Sequence, residues 1–119
     1  MWIYNSATGR LCHDDQFVAK GYSGLPPHRN DPSAEAIKAE GPIPRGMWHI
    51  GAMEEDHPNL GPHVMALTPV GHDAHGRSDF FMHGDSVRNP GFASHGCIIM
   101  DRDTRLRVAS SGDHDLHVV

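Results

Sequence analysis

Glycine and proline punctuate this chain so densely that its apolar residues fall in short runs: 13 glycines and nine prolines are spread over 119 residues, of which 38% are hydrophobic. Such spacing suits short strands joined by many turns and does not suit a helical bundle. The fold class it predicts is mainly β, a single small sandwich or barrel-like sheet with one or two short helices. The length predicts one domain over residues 1–119. A formal charge of −5 without any lysine or arginine run argues against nucleic acid and anionic membrane as partners, since both require a concentrated basic face. No apolar stretch is long enough for membrane insertion as a bilayer span. Met1-Trp2-Ile3-Tyr4-Asn5 offers neither a basic n-region nor an apolar h-region, so the expectation is a chain made in the cytoplasm without a cleavable signal peptide. The two cysteines, Cys12 and Cys97, are expected as free thiols.

Trp2-Ile3-Tyr4 and Arg10-Leu11-Cys12, either side of the turn Ala7-Thr8-Gly9, predict a hairpin. A further strand is predicted from Gln16 to Lys20, broken by Gly21-Tyr22-Ser23-Gly24. Asp31 followed by Pro32 marks a helix start, predicting a short helix over Ser33 to Glu40 that Gly41 closes. Met47 to Ile50 and Val64 to Leu67 predict two strands, with loop over 52–62. Asp79 to Met82 predicts a strand running straight into His83-Gly84. Cys97 to Met100 is an apolar run expected to be buried. Asp101 then caps a short helix through Leu106 and Val108, and Leu116 to Val119 predicts a last strand.

Two segments carry chemistry: Phe81-Met82-His83-Gly84-Asp85-Ser86 and Ala93-Ser94-His95-Gly96-Cys97-Ile98-Ile99. The first delivers a histidine to a strand end, and the second delivers a cysteine to the start of an apolar run, directly after a glycine. A nucleophilic thiol needs a nearby imidazole to hold its proton and backbone N–H groups to receive an oxyanion. Cys97 is thus the candidate nucleophile, His83 its base, and the Gly96 and Cys97 N–H groups the oxyanion donors. Cys12 is the weaker candidate, because Asp14 and Asp15 disfavour a thiolate there.

These motifs resemble a known family. Ser94-His95-Gly96-Cys97-Ile98 is similar to the signature of YkuD-type L,D-transpeptidases, Met82-His83-Gly84 to their upstream histidine motif, and Gly41-Pro42-Ile43-Pro44-Arg45-Gly46 to a third, earlier stretch. The nearer likeness is to a compact branch, the type VI secretion L,D-transpeptidase-like effectors (Tlde family), with Tyr22-Ser23-Gly24 and Gly76-Arg77 adding to it. The resemblance implies an L,D-transpeptidase-like β-sandwich or barrel and a cysteine L,D-carboxypeptidase or L,D-transpeptidase acting on peptidoglycan stem peptides without a cofactor. It also implies a cognate immunity protein, a secretion-system carrier and action in the target-cell periplasm. Within the site it implies Ser94 and His95 as shapers of the cysteine loop and Asp85, Ser86 or a backbone carbonyl as the His83 orienter. For substrate it implies Arg45, Tyr22, Arg77 and Gly84. The chain departs from larger members in its short spacing from His83 to Ser94 and in Ile99, where many carry arginine; Arg45, Arg77 or Arg88 are the replacements to consider.

Two other classes compete. His72-x-x-His75 and His114-x-x-His117, with Asp73, Asp113 and Asp115 nearby, could serve a metal-dependent hydrolase, although loop and strand settings set each pair apart. A non-catalytic wall-binding module would use Trp2, Tyr22 and Trp48 to stack on sugar or peptide. The metal reading is the weaker, and solvated loop histidines are expected.

Overall fold

Each short apolar run but one becomes a strand or a helix face. In the computed structural model, which describes residues 1–119, the strands are β1 (Trp2–Tyr4), β2 (Arg10–His13), β3 (Gln16–Lys20), β4 (Tyr22–Ser23), β5 (Gly46–His57), β6 (Gly61–Val70), β7 (Phe80–His83), β8 (Ile98–Ile99) and β9 (Asp115–Val118). One helix, α1 (Arg102–Ser110), follows β8. The strands form one sheet in the order β3-β2-β1-β9-β5-β6-β7-β8-β4.

The two ends of that order are a single stretch of chain. β3 pairs with β2 and β4 pairs with β8, yet only Gly21 separates β3 from β4. The sheet therefore closes on itself. Laid flat, nine strands would span roughly 38 Å at their usual spacing, more than the longest extent of 34 Å. Gly21 makes the corner possible: a Cβ there would lie 1.8 Å from the Ile99 carbonyl oxygen. Its N–H donates to Gly9 O at 2.8 Å. Gly21 to Gly24 thus carries the chain from one ladder to another and does not end the sheet, contrary to the sequence expectation.

Alternate residues of the strands point inward, as the two-residue period requires. Trp2, Tyr4, Leu11, Trp48, Ile50, Met65, Leu67, Phe80, Met82, Ile98, Leu116 and Val118 join one core with Val108 of α1. Each large side chain buried this way contributes about 1.5–3 kcal/mol. Asp101 caps α1 by accepting the Thr104 N–H at 3.1 Å, as expected.

Two further expectations are corrected. Only a single 3₁₀ turn, Pro32–Ala34, forms where a helix over Ser33 to Glu40 was expected. Ile37, the one large apolar side chain of that stretch, stays partly exposed, so no buried face drives a helix, and Ala39 turns left-handed at φ 63°. Residues 52–62 are mostly strand. β5 and β6 run on as a hairpin beyond the core, pairing Glu54 with Val64 and His57 with Gly61. The backbone ladder holds this polar extension, which has no apolar alternation to announce it.

Candidate active site

The register of two short strands sets the site. β7 and β8 pair in parallel, Met82 opposite Ile98 and His83 opposite Ile99. Met82 and Ile98 enter the core, so Phe81, His83 and Cys97 take the other side. They line one hollow of about 420 Å³, walled by His95 and by the tip of the β5–β6 hairpin through His57, Asn59 and Leu60. A smaller hollow of about 230 Å³ opens on the far side of Cys97, lined by Lys38, Asp79, Phe80 and His95 among others. The nucleophile candidate therefore stands between two recesses.

His83 is buried, 4% exposed, and its Nδ1 lies 2.8 Å from Gly84 O. Donation to that carbonyl fixes the tautomer and leaves Nε2 as the basic nitrogen. The ring is held by this backbone carbonyl, and neither Asp85 nor Ser86 bonds it. Burial holds His83 below the ordinary imidazole range, with the Gly84 carbonyl acting in the opposite direction. Burial pushes the Cys97 thiol up to about 11, while the Phe81 N–H and the Arg77 charge oppose it. Both shifts favour the uncharged forms, thiol and neutral imidazole, of the two groups that share this hollow. Cys97 Sγ donates at 3.7 Å to Asp79 O, on a residue held left-handed at φ 64°.

The cysteine loop is tied down residue by residue. Ser94, fully buried, donates to Cys97 O at 2.6 Å and accepts from the N–H groups of Gly24 at 2.9 Å and Gly96 at 3.2 Å. Ser23 Oγ donates to Gly96 O at 3.0 Å. The Gly96 N–H is thus engaged, and the Cys97 N–H is the one left without a partner to meet an oxyanion. His95 Nδ1 bonds Ala39 O at 2.9 Å.

Arg77 lies under this loop, 8% exposed. Its four terminal N–H groups reach the carbonyls of Glu35, Pro42, Gly41 and His95, which leaves none of them for a substrate carboxylate. Gly96 must be glycine here: its φ is 138°, and a Cβ would lie 2.5 Å from Arg77 Nη2. Arg45 is ion-paired with Glu35 and borders neither hollow beside Cys97. Arg88 is exposed on the loop after β7. Tyr22 donates to Asp85 at 2.6 Å and accepts the Ala93 N–H at 3.0 Å, pinning the loop between His83 and Ser94. The Tyr22 hydroxyl and the Gly91 and Ser86 N–H groups outweigh burial and hold the Asp85 carboxyl below the usual range.

The competing constellations do not assemble. His72 bonds Met47 O and the Ala74 N–H, His75 pairs with Glu35, and His114 bonds Ile50 O. His13, Asp14 and Asp113 do converge, but the N-terminal ammonium of Met1 sits on both carboxylates at 2.9 and 2.6 Å. Trp2 and Trp48 are buried and cannot stack on a wall polymer. Cys12, half-buried in β2, lines no hollow. Conversely, His57, Asn59, Leu60, Lys38 and Asp79 border the candidate pair without having been singled out in the sequence, where nothing marked the hairpin extension that brings the first three in.

A closed mixed sheet that carries His83 at the end of β7 and Cys97 just before the parallel β8 has an L,D-transpeptidase-like fold. A crystal structure of an Enterococcus faecium L,D-transpeptidase, a cysteine-to-serine mutant, matches it with a TM-score of 0.57 and 16% identity, covering 99% of this chain and 48% of that one. The chain spans about half the length of that protein. The family model described as the Tlde1 domain matches residues 18–118, and the chain belongs to that family. No curated protein sequence matches it significantly.

Proposed function

We propose that residues 1–119 act as one catalytic domain, a cysteine L,D-carboxypeptidase or L,D-transpeptidase that works on peptidoglycan tetrapeptide stems. The observation that carries this reading is the shared hollow of Cys97 and His83, with His83 Nδ1 held on Gly84 O so that Nε2 is free to accept a proton. Membership of the Tlde1 domain family and the L,D-transpeptidase-like fold support the substrate class.

In the first step the Cys97 thiol proton passes to His83 Nε2 as Sγ bonds to the carbonyl carbon of the third stem residue. The oxyanion accepts from the Cys97 N–H. The carbon–nitrogen bond to the terminal D-alanine then breaks, its amine takes the proton back from His83, and a thioester remains on Cys97. Water, deprotonated by His83, releases a tripeptide and the thiol. A D-amino acid or stem amine in place of water gives exchange or a crosslink. The family further supports an antibacterial type VI effector role, with a secretion carrier, a cognate immunity protein and action in the target-cell periplasm.

Mass spectrometry of purified disaccharide-tetrapeptide tests the chemistry. Wild-type protein should release D-alanine and Cys97→Ala should not, while melting like wild type. Turnover by the alanine variant would end the cysteine scheme.

A further inference from the structure

Three imidazoles wall the larger hollow, and the backbone holds them in two different tautomers. His83 and His95 each place Nδ1 on a carbonyl, Gly84 O at 2.8 Å and Ala39 O at 2.9 Å. In each neutral ring Nε2 therefore carries a lone pair. His57 is the reverse: its Nδ1 accepts the backbone N–H groups of Asn59 and Leu60, both at 3.1 Å, which puts the ring proton on Nε2. That N–H is unpartnered. The nearest carboxylate, Glu54, is 4.0 Å away and outside hydrogen-bond range. The ring packs edge-on against Phe81, centroids 5.3 Å apart, so it is held in place beside the strand that carries His83.

Direction follows from His83. It lines the larger hollow and not the smaller one. A general acid must lie within about 3 Å of the atom that it protonates. The departing amine of the terminal residue is therefore on the hairpin side, and that residue's carboxylate is only two bonds from the amine. Of the three rings there, His57 alone presents an N–H.

We propose that the hollow under the hairpin tip is the subsite for the C-terminal D-residue of the stem, and that His57 Nε2–H reads its free carboxylate. This rests on the cysteine-enzyme reading above. Run in reverse, the same contact selects acceptor amines that carry a carboxylate next to the amine, as D-amino acids do. A hydrogen bond to a charged acceptor is worth about 10- to 100-fold in kcat/KM.

The test compares disaccharide-tetrapeptide ending in D-alanine with the same compound ending in D-alaninamide. Wild type should favour the free acid about 10- to 100-fold. His57→Asn keeps a side-chain oxygen to accept the tip N–H groups but removes the Nε2 donor, and it should bring the ratio close to one through loss on the acid. His57→Gln places an amide N–H near Nε2 and should restore much of the preference. A His57→Asn ratio equal to that of active wild type would overturn the subsite alone. Wild type that cleaves neither compound would overturn the enzymatic reading and the subsite with it.

Discussion

Lysine in place of Arg77 keeps the charge beside Cys97 and removes the fork. Arg77 joins four carbonyls from three separate places in the chain, Glu35, Gly41 with Pro42, and His95. A single ammonium group at that depth can reach about two of them. Two buried carbonyls then lose a charged donor, at about 1.5 kcal/mol each, for a total near 3 kcal/mol. A chain of this size loses about 4 °C of Tm per kcal/mol, so Arg77→Lys should melt roughly 12 °C below wild type by calorimetry. Because His95 O is one of the four carbonyls that Arg77 ties together, the loop bearing Cys97 should loosen too, visible as faster hydrogen exchange at residues 94–97. A variant that melts within about 2 °C of wild type with unchanged exchange would refute the clamp.

Burial acts on the candidate pair in opposite directions, and the signs can be read separately. His83 is held low, so its basic form persists to lower pH than a free imidazole, and the acid limb of kcat/KM should fall below about 6.5. Cys97 is pushed up to about 11, so peptide-mapped iodoacetamide labelling should be slow at pH 7 and keep rising toward pH 11. Rapid labelling at pH 7 would instead reveal a preformed thiolate–imidazolium pair. Gly21→Ala sets a Cβ against a backbone oxygen and the Met100 side chain, a clash that costs more than the ~3 kcal/mol of ordinary overpacking. Circular dichroism should show loss of the cooperative melt; a wild-type melt would mean that the corner is not tight.

Local signals were legible and non-local ones were not. The Asp101 cap, the alternation in Trp2–Tyr4 and Leu116–Val118, and the His83 and Cys97 segments each declare themselves within a few residues. The β5–β6 extension does not, because Glu54, Glu55 and Asp56 are exposed and held by backbone pairing with no apolar pattern. His57 entered the site through that extension. Arg77 stood as a candidate substrate contact, and its four carbonyl partners, up to 42 residues away in sequence, left no local sign of a structural role. Gly21 looked like a strand breaker; only the closure explains why the chain continues through it.

That closure also decides when the candidate site takes shape. Pairing Tyr22 with Ile99 and Trp2 with Leu116 joins segments from opposite ends of the chain, the kind of topology that folds in milliseconds to seconds rather than microseconds. The Cys97 loop depends on Ser23 Oγ and the Gly24 N–H, both delivered by the closing strand. Before that strand docks, the thiol has neither a shaped loop nor a fixed neighbour. On the proposed function, recovery of turnover after dilution from denaturant should therefore lag the return of β-sheet signal, because the Cys97 loop takes shape only as the barrel shuts.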